Sequence, residues 1–139
     1  MSVRDLAGTT AIVTGASRGF GRATAIALAE LGAHVVGVAR NVELLDQLAA
    51  RLDGRFTPEV ADGADPSLPV RLIPRYRPQT LVLNAGASPI PAPVSEQTWE
   101  TFSTNWNTDV QHVFNFTRTP SRLHWIPAQW SSASPAGPP

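Results

Sequence analysis

Residues 14–21 carry the most explicit chemistry in the chain. They read Thr14-Gly15-Ala16-Ser17-Arg18-Gly19-Phe20-Gly21 and stand between a β-branched run and an alanine-rich stretch of helical spacing. Gly15 lets the chain turn sharply out of a strand. Gly19 lets backbone approach a pyrophosphate, and Gly21 lets the following helix pack closely on a sheet. The start of that helix offers unpaired N–H groups and a positive dipole end to phosphate oxygens, and Ser17 adds a hydroxyl. The predicted chemistry is nucleotide binding, with Gly15, Ser17, Arg18, Gly19, Phe20 and Gly21 as its candidate residues.

A second position bears on which nucleotide is held. A dinucleotide site that selects NAD places a carboxylate at the end of the second strand, where it accepts the ribose 2′-hydroxyl. Here that place falls on Ala39, followed at once by Arg40. Without the acid nothing repels a 2′-phosphate, and the Arg40 guanidinium can meet it with charge-assisted hydrogen bonds. Arg18 points to the same neighbourhood. The pair predicts NADP, with NAD the weaker ligand.

These residues need a particular succession of elements to bring them together. Residues 9–118 alternate strand-like and helix-like segments. A buried strand is predicted at 9–14, then a helix at 21–31 stopped by Gly32, and a β-branched strand at 35–38. Asn41 caps a helix with Leu44, Leu45, Leu48 and Leu52 on one face, and Asp53-Gly54 turns the chain. A weaker strand at 56–60 follows, then a buried strand at 80–83, and Ser95 caps a long helix to about Arg118. In that last helix, Trp99, Phe102, Trp106, Val110 and Phe114 recur at a spacing that predicts a buried face. Asp65-Pro66 opens a further helix, but Pro69 and Pro74 lie inside it. Each would cost about 3 kcal/mol, so the pattern predicts a short or broken helix there. Strands alternating with helices imply parallel βαβ units in a doubly wound sheet.

The glycine pattern, preceded by threonine, resembles the fingerprint of the short-chain dehydrogenase/reductase family. Asn84-Ala85-Gly86 after the fourth strand resembles that family's second signature, and Asp62 after the third resembles the acid that receives the adenine amino group. The resemblance spans about residues 5–118 and implies a partial Rossmann-like α/β sheet, strand order 3-2-1-4. It implies cofactor contacts from Asp62, Asn84, Ala85 and Gly86 as well. In the family, basic residues at the positions of Arg18 and Arg40 accompany NADP use.

The same resemblance implies a proton relay through a Tyr-x-x-x-Lys pair, in which the lysine lowers the tyrosine pKa and holds the ribose. The chain contains no lysine; all 11 basic residues are arginine. Relative to the sole tyrosine, Tyr76, the lysine position holds Thr80. Ser131-Ser132 has no buried strand before it. The family's helix asparagine falls on Asp109 when counted back from residues 113–118, and near Asn105–Asn107 when counted forward from Trp99. Asn107 and Asp109 both stay open, and no catalytic residue is assigned.

The expectation is therefore an incomplete NAD(P)-dependent oxidoreductase, with the cofactor-binding half at 1–118 retained and hydride transfer lost. The alternative is a non-catalytic NADP(H)-binding module, or a subunit completed by a second copy or a complementing chain. Residues 119–139 are rich in proline and serine and are expected to be disordered, or the product of a changed reading frame. A fourth strand left at the sheet edge predicts marginal stability or dependence on a partner.

Composition narrows the remaining classes. A formal net charge of zero argues against nucleic acid or an anionic membrane as partner. The absence of cysteine excludes disulfides and thiolate chemistry, and His34, His112 and His124 lack metal-site spacing. His112 reads as a packed or solvated helix residue. With no apolar run suited to a signal peptide or a membrane span, a cytoplasmic location is expected.

Overall fold

The computed structural model describes residues 5–119. The expected tail at 119–139 lies, apart from Thr119, outside them. Four parallel strands form one sheet in the order β3-β2-β1-β4: β1 (Thr10–Thr14), β2 (His34–Ala39), β3 (Phe56–Val60) and β4 (Thr80–Leu83). Ile12 pairs with Val36 on one side and Leu81 on the other, which aligns the C-terminal ends of the strands along one edge. Among the described residues β3 pairs only with β2, and an edge strand is where the ladder tolerates Pro58.

Helices cover both faces. On one side, α1 (Gly19–Glu30) and α2 (Val42–Leu52) bury Ala25, Ala29, Leu45 and Leu48 against Val13, Val35 and Phe56. On the other, α3 (Ser67–Tyr76) and α5 (Gln111–Arg118) bury Leu68, Leu72, Ile73 and Phe116 against Ile12, Val36 and Val38. Each large apolar side chain among these contributes about 1.5–3 kcal/mol through burial. Asn41 caps α2 as its type predicts, its Oδ1 accepting from the Leu44 N–H at 2.8 Å. Asp53 and Gly54 then reverse the chain at positive φ.

Several expectations need correction. α3 is short, as expected, but unbroken over its ten residues. Pro69 sits in its first turn, where a missing N–H costs nothing. Pro74 falls in its last turns, ahead of Arg77, which ends the helix with φ 45°. Asp65 supports the start by accepting from the Ser67 N–H at 2.8 Å, and this contact holds its carboxyl below the ordinary range. The burial of Leu68, Leu72 and Ile73 outweighs the proline penalty.

The long helix is also divided. Ser95 lies in a single 3-10 turn, Val94–Glu96. The cap is Thr98, which exchanges hydrogen bonds with Thr101 at the start of α4 (Trp99–Asn105). A π-helical turn at Trp106–Val110 joins α4 to α5. The aromatic stripe is not core: Trp99 is 77% exposed, Trp106 67% and Phe114 56%. The buried residues of this segment are Ser103, His112, Asn115 and Phe116. Strand β4, read as buried, has all four residues half-buried, because among the described residues only β1 pairs with it.

Candidate dinucleotide site

Because the strands are parallel, Gly15, Arg40, Ala61 and Asn84 all emerge at the same edge of the sheet. The loops there are tied together by Thr14, a fully buried residue. Its Oγ1 accepts from the Asn84 N–H at 3.0 Å and the Ala85 N–H at 3.1 Å, and donates to the Val82 carbonyl at 3.4 Å. The Asn84 Nδ2 in turn donates to the Gly15 carbonyl at 3.4 Å. Thr14 is a structural tie at this rim that was not among the candidate residues. Its signal was a hydroxyl at a strand end, just ahead of the turn.

The turn has the conformation its glycines predict. Gly15 has φ +67° and Gly19 φ +56°. A β-carbon on Gly15 would lie 2.8 Å from Asn84 Nδ2, whereas one on Gly19 would meet nothing within 4 Å. Open space thus lies over the backbone at the start of α1. Arg18 provides no side-chain cap there, and the first turn holds no acidic residue. The Arg22 N–H is bonded to the Arg18 carbonyl at 3.2 Å, so the amides of Gly19, Phe20 and Gly21 precede the helical hydrogen-bond pattern. That arrangement fits an anionic phosphate. Ser17 is half-buried beside it, and Arg18 and Phe20 are exposed.

Ala39 is buried at the end of β2, and Arg40 is exposed next to it. Among the described residues the only ion pairs are those of Glu59 with Arg71 at 3.6 Å and Arg75 at 3.4 Å. Arg18 and Arg40 therefore stand at the site edge without a carboxylate partner among those residues. Asp62 lies on the loop after β3, where its Oδ1 accepts from the Ala64 N–H at 3.0 Å. The structure brings all of the predicted residues to one rim: the glycine turn, Arg40, Asp62 and Asn84-Ala85-Gly86.

The residues offered by the two counts for the helix asparagine have different surroundings. Asn107 is exposed, and its Nδ2 donates to the Ser103 Oγ at 3.3 Å. Asp109 Oδ1 accepts from the Ala87 N–H at 2.7 Å, and a β-carbon on Gly86 would approach it to 3.1 Å. Asn105 reinforces the contact, donating to the Ala87 carbonyl at 3.1 Å and to Asp109 Oδ2 at 3.4 Å. Asp109 and Asn105 thus both reach the rim at Ala87, and Asn107 bonds within its own helix instead.

A parallel α/β sheet with a glycine turn feeding a helix at its C-terminal edge defines a dinucleotide-binding fold of Rossmann type. Within that class the chain belongs to the short chain dehydrogenase family, whose model matches residues 9–126. It is 36% identical to the L-xylulose reductase of Mesocricetus auratus, with 84% of this chain and 48% of that protein covered. It is 32% identical to the 2,3-dihydro-2,3-dihydroxybenzoate dehydrogenase of Bacillus subtilis, with 88% of this chain and 49% of that one covered. Among solved structures, the L-sorbose reductase of Gluconobacter frateurii, complexed with NADPH and L-sorbose, superimposes with a TM-score of 0.75 at 28% identity. That match covers 84% of this chain and 48% of the other. The chain spans about half the length of the curated relatives it matches. Among the described residues no helix is long and apolar enough to cross a membrane.

Proposed function

We propose that residues 5–119 are the NADP(H)-binding part of a short-chain oxidoreductase, and that this 139-residue chain does not transfer hydride unaided. The observation that carries the first half is the open backbone over Gly19, flanked by the exposed Arg18 and Arg40 and lacking an acid at Ala39. The α1 amides and Ser17 would hold the pyrophosphate, Arg18 and Arg40 the 2′-phosphate, Asp62 the adenine amino group, and Asn84-Ala85-Gly86 the backbone wall beside the ribose. When bound, the nicotinamide would supply hydride-transfer chemistry. The second half rests on the absence of lysine, which leaves no Tyr-x-x-x-Lys relay.

A second reading is favoured by one specific feature. The exposed stripe of Trp99, Phe102, Trp106 and Phe114 on the α4–α5 segment suits a subunit completed by another copy or a complementing chain. In that case binding would precede assembly, and the module would hold cofactor without turning it over.

Tryptophan-fluorescence titration with NADPH and NADH tests the reading. NADPH is expected to bind at least about tenfold more tightly, the worth of one charge-assisted phosphate contact. Equal affinities would overturn the NADP preference, and no binding of either would overturn the cofactor role. Reduction of a carbonyl substrate by the isolated chain would overturn the claim that it lacks the relay.

A further inference from the structure

His112 is a buried group beside the rim that the cofactor reading leaves unused. It is 1% exposed, yet neither ring nitrogen has a hydrogen-bond partner among the described residues. Its position explains why it is there. A β-carbon on Gly63 would lie 2.9 Å from the Ala85 Cβ and 3.8 Å from the imidazole Cδ2 and Nε2. The ring thus stands where the Asp62-Gly63 turn meets Ala85. Phe116 packs against it edge-on, with ring centroids 5.3 Å apart.

We propose that His112 is a positioning residue for the adenine end of the site: its imidazole ring wedges the Asp62-Gly63 turn against the Asn84-Ala85-Gly86 loop. This rests on the cofactor reading for what the two loops hold, but not for the wedge itself. Both loops belong to the candidate site, one through Asp62 and the other through Asn84, so their spacing sets how adenine and ribose are gripped. A buried imidazole with no well-formed hydrogen bond is costly to keep, by about 1–3 kcal/mol for a polar group left unpaired. An aliphatic side chain would fill the same space without that cost.

The charge state follows from the surroundings. Burial pushes the imidazole pKa down, opposed by the nearby Ala85 backbone and the carboxylates of Asp109 and Asp62. Those two, on the π-helical turn and on the loop after β3, are the charged groups among the described residues that act on it. A histidine whose folded pKa lies below its unfolded value favours the folded arrangement above the unfolded value, near 6.5. That contribution declines as pH falls below it. Once protonated, the ring would attract the Asp62 carboxylate, which is the group expected to face adenine.

Two measurements on the full chain test this, using wild type, His112→Phe (ring kept, titration removed) and His112→Gln (polarity kept, ring removed). The first is amide hydrogen exchange of residues 61–66 and 84–87 without cofactor, corrected for intrinsic pH effects. Protection in wild type should fall several-fold from pH 7.5 to 5.5. It should stay level in His112→Phe and be low at every pH in His112→Gln. The second is NADPH affinity over the same range. The 2′-phosphate itself titrates near 6, so the informative quantity is the ratio of wild type to His112→Phe, which should change about tenfold. Equal exchange profiles in wild type and His112→Phe would overturn the proposal. Altered exchange with no binding by wild type at any pH would leave the wedge standing and sink the cofactor reading instead.

Discussion

Gly21 and Gly15 meet backbone to backbone where α1 leaves the glycine turn. A β-carbon on Gly21 would strike the Gly15 carbonyl oxygen and come within 2.6 Å of Asn84 Nδ2. The Gly15 carbonyl is backbone and cannot move without shifting the turn after β1, whereas the Asn84 amide is a side-chain end. Gly19, two residues earlier, has open space instead. Gly21 and Gly19 therefore differ in surroundings, one packed against the turn and the other facing open space.

Substituting each in turn should separate packing from binding. Gly21→Ala is expected to cost about 1–3 kcal/mol through overpacking and to weaken cofactor binding as α1 lifts from the sheet. Gly19→Ala should cost only about 1–2 kcal/mol, the penalty for an alanine at positive φ. It should nevertheless weaken NADPH binding by at least about tenfold, since its methyl occupies the phosphate's approach. Urea denaturation and fluorescence titration give both numbers. Unimpaired binding in Gly19→Ala would mean that the phosphates lie elsewhere.

At the end of β2, Arg40→Ala should weaken NADPH by about 10- to 100-fold, the worth of a lost charge-assisted contact, and leave NADH unchanged. Ala39→Asp should weaken NADPH further and strengthen NADH by supplying an acceptor for the ribose 2′-hydroxyl. Stability should hardly change for Arg40→Ala, because the side chain is exposed and has no carboxylate partner among the described residues. A uniform loss for both nucleotides would show that Arg40 touches something common to them.

Thr14→Val replaces a hydroxyl that accepts from two backbone amides, those of Asn84 and Ala85. The valine is close to threonine in shape, but it removes the acceptor of both N–H groups in a part-buried setting. The loss is expected to be about 1–2 kcal/mol, near the lower end of the cost of a stranded donor. Thermal unfolding should show the loss. Thr14→Ser, which keeps the hydroxyl, should recover most of it; a serine variant no better than valine would mean that the methyl, not the hydroxyl, matters.

Legible in the sequence is what chemistry fixes locally. The glycine turn, the Asn41 cap and the Asp53-Gly54 reversal each depend on a single residue type doing what few others can. The parallel order 3-2-1-4 follows from the alternation of elements together with the family resemblance. The failures share a different cause. Helical spacing places Trp99, Phe102, Trp106 and Phe114 on a shared face, but spacing carries no information about what covers it. The penalty for Pro69 and Pro74 depends on where α3 begins: Pro69 falls in the first turn and disturbs little, whereas Pro74 forfeits one helical hydrogen bond that the burial of its neighbours offsets. Ser95 and Thr98 are equally suited to a cap by type, and only the reciprocal bonding with Thr101 separates them. His112 is legible as a packed residue, but its place between Gly63 and Ala85 requires the folded chain.

The Glu59–Tyr76 hydrogen bond ties β3 to α3 and offers an isolated titration. The Tyr76 hydroxyl donates to Glu59 Oε1, and Arg71 and Arg75 flank the same carboxylate. Burial raises the phenol pKa first, the Glu59 hydrogen bond and charge raise it further, and the two arginines oppose them. A tyrosine whose folded pKa exceeds its unfolded value near 10 binds its proton more tightly when folded. Its contribution to stability is then level below about pH 10 and falls as pH rises from the unfolded value towards the folded one. The chain has one tyrosine and no lysine, so tyrosinate absorbance reports Tyr76 alone and little else titrates in that window. Its midpoint should lie above about 10 in the folded chain and return to that value in urea. Tyr76→Phe should abolish the alkaline fall in stability, at a cost near neutral pH of about 1 kcal/mol for the lost hydrogen bond. An unshifted midpoint in the folded chain would show that Glu59 does not hold the phenol in solution.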